Sequence, residues 1–197
     1  MSRTRQDDNI ENKQLDLFEM VPGPGRSNKY VPDGAIVIDG QEYLGELKST
    51  SVDRGHFSTS SRMGIKKIQA WKKGFYFSVF STVYKDGSFA EHYVLFQDDL
   101  EPFYTKVTDK QNKGHAGRAG MDSWRRARQH LSEMGWDDEE LDKLTKQNLF
   151  GSRINDPGIS VSDVKNWGTR ISNENPAQHL KQLIKENHEQ RNTKNNV

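Results

Sequence analysis

The stretch "VPDGAIVIDGQEYLGELKSTS", residues 31–51, holds the residues best spaced for chemistry: Pro32-Asp33, then a spacer, then Glu46-Leu47-Lys48. Side chains alternate along a strand, so Glu46 and Lys48 project to one face while Leu47 turns to the other. A hairpin turn at Asp39-Gly40 would fold the preceding strand back and bring Asp33 near Glu46. Two carboxylates converging on one point suit a hard divalent cation, most naturally Mg²⁺. A lysine beside them can orient an attacking water and help deprotonate it, its proton affinity lowered by the metal. The cation would also neutralise charge gathering on a phosphate during in-line attack. The chemistry indicated is metal-assisted phosphodiester hydrolysis. On the motif alone, an exposed Glu46–Lys48 ion pair is the simpler account, because "ELK" is a common triplet.

The elements that must position these residues follow from periodicity and turn signals. Residues 9–21, "NIENKQLDLFEMV", put Ile10, Leu17, Phe18 and Val21 on one helical face, ahead of a "PGPGRSNKY" loop. "GAIVIDG" and "QEYLGELKS" form the hairpin, "GHFSTSSRM" is extended, and "GIKKIQAWKKG" is a short helix around Ile65, Ile68 and Trp71. "FYFSVFSTVY" is the most β-prone stretch and pairs with "SFAEHYVLFQ" across "KDG". Residues 111–152 read as a helical insertion, a loop followed by "MDSWRRARQHLSEMGW" and "DDEELDKLTKQN". "INDPGISVSDVKNWGTRIS" reads as short extended segments, and "NENPAQHLKQLIKENH" as a final helix with Leu180, Leu183 and Ile184 on one face. Helices and strands mix without a βα repeat, so the class is α/β or α+β, in a single domain over 1–197. The polar ends, 1–8 and 186–197, read as flexible.

A hydrophobic share of 32% implies a compact core with polar arms. The net charge of +1 excludes a globally basic nucleic-acid binder, so any such contact needs local basic clusters. The absence of cysteine excludes disulfides and thiolate metal sites and suits a reducing cytoplasm. No apolar run reaches membrane-spanning length and the polar N-terminus has no signal-peptide core, so a cytoplasmic protein without a membrane partner is expected. The six histidines show no metal-ligand spacing.

Residues around the motif carry a resemblance. "GQEYLGELKSTSVDRGHFSTSSRM", the aromatic strand after it, "DLEPFY", and "INDPGISVSDVKNWGTRIS" agree in order with the PvuII-like type II restriction endonucleases of the PD-(D/E)xK superfamily. The similarity covers about residues 22–110 and 153–171. It implies a central mixed β-sheet flanked by helices and a Mg²⁺-dependent homodimeric endonuclease, with Mn²⁺ able to substitute. Such an enzyme, part of a restriction-modification system, cuts both strands of a short palindromic site in double-stranded DNA and takes no small-molecule substrate. By position, Asp33 and Glu46 would hold metal and Lys48 would act on the attacking water. Ser58, Ser60, Ser61 and Arg62 would lie in the major groove, and Asn155 with Asp156 would form the second base-reading element. The family pattern has consecutive histidines where Ser60, Ser61 and Arg62 stand, and an asparagine in place of Asp156. Arginine favours guanine and aspartate accepts from the cytosine amino group, so a GC-containing site is expected.

Arg26, Lys66, Lys67 and Arg125 are candidates for backbone phosphates, against the plainer account of solvated surface. The helix at 9–21 is the candidate dimer interface, since a palindrome cutter needs an isologous one. The alternatives are a structure-selective or repair nuclease, a catalytically silent DNA-binding protein of the same fold, and an interaction domain in which "ELK" is a surface ion pair.

Overall fold

A computed structural model of the chain describes residues 3–23, 32–58, 62–63, 71–112, 129, 132–133, 135, 154–155 and 158–195. In order, its elements are α1 (Arg3–Leu17), β1 (Val21–Pro22), β2 (Gly34–Ile38), β3 (Gln41–Ser51), β4 (His56–Ser58), β5 (Arg62–Met63), β6 (Phe77–Val83) and β7 (Phe89–Phe96). There follow α2 (Glu101–Asn112), β8 (Ile154–Asn155), β9 (Gly158–Ser160), α3 (Val161–Trp167), β10 (Thr169–Ile171) and α4 (Pro176–Asn195). Where the sequence reads as one domain with an insertion, the chain divides into two compact units. The first comprises Met1–Phe57, Lys72–Leu100 and Ser160–Val197. The second, Ser58–Trp71 and Glu101–Ile159, encloses the expected insertion.

The first unit is built on a six-stranded mixed sheet in the order β1-β2-β3-β6-β7-β10, in which β3 and β6 run parallel and the other pairs antiparallel. The β2–β3 hairpin turns at Asp39 and Gly40, with φ of 51° and 82°. Two successive positive φ values match the twist of the flanking strands, and this is why the Asp-Gly pair sits there.

One face of the sheet carries the main core. Ile36, Leu47, Phe77, Val79 and Val94 meet Leu15 and Phe18 at the end of α1, and Leu180 and Ile184 from α4. Of the α1 stripe expected from the sequence, Phe18 is fully buried, Ile10 and Leu17 are half-buried, and Val21 is exposed on β1. Leu15 and Phe18 are thus spent on this chain's own core. Against the opposite face, α3 lies beside β7, where Gly168 admits Leu95 and Lys165 Nζ stands 5.8 Å from the centre of the Tyr93 ring.

In three places the elements run differently from the sequence reading. The helix α1 begins at Arg3, inside the end read as flexible. The residues after 186 continue α4 to Asn195, because polar side chains there find partners on the sheet. Tyr76 Oη donates to Asn187 Oδ1 at 2.9 Å, Arg191 Nη2 lies 3.2 Å from Asp98 Oδ2, and His188 meets Tyr43 edge-on. Within the stretch read as extended, residues 161–167 are helical. Ser160 caps them by accepting the Asp163 N–H at 2.9 Å, and Asp163 places a carboxylate in the first turn.

Gly45, immediately before Glu46, lacks the Cβ that would overlap the Phe77 ring lying across it. Phe77 is fully buried and has no room to move aside. Gly45→Ala should therefore destabilise the protein by about 1–3 kcal/mol. Urea unfolding checks this, and an unchanged midpoint would contradict the packing described.

Candidate active site

The β2–β3 ladder pairs Gly34 with Gly45, so one step beyond its end Asp33 comes level with Glu46. Asp33 Oδ2 accepts the Leu47 N–H at 2.7 Å, a main-chain donor on the strand that carries the rest of the motif. Lys48 Nζ lies 2.6 Å from Glu46 Oε1, 2.9 Å from the Leu47 carbonyl oxygen and 3.7 Å from Asp33 Oδ2. The Glu46 and Lys48 side chains are only 9% and 16% exposed. That rules out a solvated surface pair, because these charges have largely left water and must be balanced within the site.

Burial works to strip the proton from Lys48. The charges of Glu46 and Asp33, the hydrogen bond to Glu46 and the charge of Glu11 outweigh it and hold the ammonium above the ordinary lysine range. The result is one cationic position ringed by two carboxylates and a carbonyl, a donor set of hard oxygens only. Among the described residues no group of three or more His, Cys, Asp or Glu side chains is placed to hold a metal. Two carboxylates are nonetheless what Mg²⁺ commonly takes from a protein, with water and substrate phosphate completing its shell. Ser78, the register partner of Glu46 on β6, adds a buried hydroxyl with no partner among the described residues. The donor chemistry fits a hard cation, which Asp33 and Glu46 would hold.

A second layer of polar residues lies where the sequence suggested only core. Gln14, 1% exposed, donates through Nε2 to Ser81 Oγ at 2.7 Å and towards the Lys48 carbonyl at 3.4 Å. That carbonyl can only accept, so the amide nitrogen must face it. Ser81 Oγ lies 2.8 Å from His92 Nδ1. With its oxygen accepting from Gln14, the Ser81 hydroxyl donates to a neutral imidazole protonated on Nε2. Glu11, Gln14, Ser81 and His92 escaped the sequence reading. The one available signal was Gln14, a polar residue four positions from both Ile10 and Phe18 on the apolar stripe.

The base-reading candidates are only partly brought together. In the second unit, β5 pairs antiparallel with β8, and Arg62 stands opposite Asn155 in register, although 93 positions separate them in the chain. Ser58 closes β4 and is exposed. Ser60, Ser61 and Asp156 lie outside the described residues, as do Arg26, Lys66, Lys67 and Arg125. No described helix is long and apolar enough to cross a membrane. Protein-family models give no match to the chain, and curated proteins give none either.

Burial lowers His92 from the ordinary 6.5 to about 4. Between those values the unfolded chain takes up a proton that the folded chain refuses. The stability contributed by neutral His92 is therefore whole above pH 6.5 and lost as the pH falls towards 4, by about 3 kcal/mol. His92→Gln, which keeps an acceptor for Ser81, should flatten this part of the pH–stability curve in urea unfolding. Equal slopes in the two proteins would show that His92 is not the titrating group.

Proposed function

We propose that the chain is a Mg²⁺-dependent endonuclease of the PD-(D/E)xK fold, a type II restriction enzyme that hydrolyses both strands of a short palindromic site in double-stranded DNA. The single observation carrying this reading is the convergence of Asp33, Glu46 and the Leu47 carbonyl on a buried cationic position filled by the Lys48 ammonium. A protein that buries two acids and gathers them at one point, where a simpler core would be more stable, retains them for use.

Bound there, Mg²⁺ would supply Lewis-acid neutralisation of the phosphate and a water of lowered proton affinity. Asp33 and Glu46 would hold it, and the main-chain hydrogen bond from Leu47 fixes the Asp33 carboxylate against β3. Lys48, held protonated by the same carboxylates, presents a charged donor that can bind a phosphate oxygen or orient the attacking water. It can surrender its proton only when the charges of Glu46 and Asp33 are balanced in another way.

The register of Arg62 with Asn155 favours a sequence reader over a structure-selective nuclease. It joins the two segments that the family resemblance assigns to base recognition. The partners proposed are double-stranded DNA and a second copy of the chain.

Lys48→Ala should reduce cleavage of supercoiled plasmid in Mg²⁺ by at least about 10²-fold. Specific binding measured in Ca²⁺ should persist, which also reports that the variant is folded. Wild-type cutting by this variant would remove Lys48 from the chemistry and the proposal with it.

A further inference from the structure

We infer that Gln14, on α1, is a positioning residue that fixes the main chain at Lys48; the inference rests on the endonuclease reading above and deepens it. An amide almost wholly removed from water is costly unless its hydrogen bonds are made, and a leucine at this point of the α1 stripe would pack more cheaply. Gln14 instead aims its amide at one step of the sheet. Its Nε2 reaches the Lys48 carbonyl on β3 and the Ser81 hydroxyl on β6, and Ser81 is the register partner of Ser49, the residue after Lys48. The amide thus joins helix and both parallel strands where the lysine leaves the backbone.

Lys48 is thereby restrained at both ends, its ammonium by Glu46 and its carbonyl by Gln14. The hydrogen bonds behind it run in one direction, from Gln14 to Ser81 to His92. The His92 ring is fixed in turn between Phe18 and Phe89, with ring centres 5.1 and 5.0 Å away. Glu11 lies one turn earlier on the same helix, and its charge also acts on Lys48. Displacing a catalytic group by a fraction of an ångström slows chemistry without weakening binding, and this separates a positioning residue from general support of the fold.

The test is Gln14→Leu, with Ser81→Ala as a second variant that leaves the amide in place. Single-turnover cleavage in Mg²⁺ should fall about ten- to hundredfold for Gln14→Leu, and less for Ser81→Ala, while DNA affinity in Ca²⁺ stays within about threefold. In protein carrying ¹³C-labelled lysine, the Lys48 Cε resonance, assigned by its loss in Lys48→Ala, should move in both variants while other lysine signals hold. A cleavage rate within about twofold of wild type, or a fall in rate matched by an equal fall in affinity, would overturn the inference. If Gln14→Leu does not fold, Ser81→Ala decides by the same measures. Should the wild-type chain cut no DNA, the endonuclease reading falls, and the lysine resonance decides alone: moved, Gln14 sets the geometry of Lys48; unmoved, it does not.

Discussion

Where β2 begins and β3 runs on beside β6, two carboxylates and one ammonium share a corner of the sheet that water barely reaches. No member of that group is stable there without the others, since removing one partner of a buried ion pair costs about 3–5 kcal/mol. Much of the first unit follows from this demand. The Asp-Gly turn brings Asp33 level with Glu46. The parallel pairing with β6 covers β3 on its other side. Gly45 keeps the Phe77 ring tight against the strand one residue before Glu46.

The opposite side of the same strands is neutral and holds the charged corner in place. Leu47 sits in the core between Glu46 and Lys48, so the alternation that exposes the motif to one face anchors it to the other. Gln14, Ser81 and His92 interrupt that core with polar groups, and burial keeps His92 uncharged. A charged imidazole here would be a buried cation with no carboxylate beside it, and burial alone disfavours it. The neutral network therefore orders the helix and strands without disturbing the electrostatics of Lys48.

Much of this was legible in the sequence because it depends on local rules. Asp39-Gly40 specifies its hairpin, and the alternation around Leu47 specifies which side chains share a face. The strands at 77–83 and 89–96 follow from their β-branched and aromatic residues. What was not legible depends on distant partners. The final helix outlasts its apolar stripe because Asn187 and Arg191 find Tyr76 and Asp98, pairings no local window contains. The short helix at 161–167 was hidden because Gly158 and Ile159 read as strand and its own signal reduces to the Ser160 cap. Gln14 passed unread, since the acceptors that justify its burial lie 34 and 67 positions away. The opposed placement of Arg62 and Asn155 is similarly a product of pairing across the second unit.

We propose that the buried Asp33–Glu46–Lys48 corner cuts DNA at defined sequences. Digestion of a long, fully sequenced DNA with the purified chain and Mg²⁺, followed by sequencing of the fragment ends, tests it most directly. Discrete fragments whose ends share one palindrome are the predicted result. DNA left intact, or degraded to fragments with unrelated ends, would contradict it.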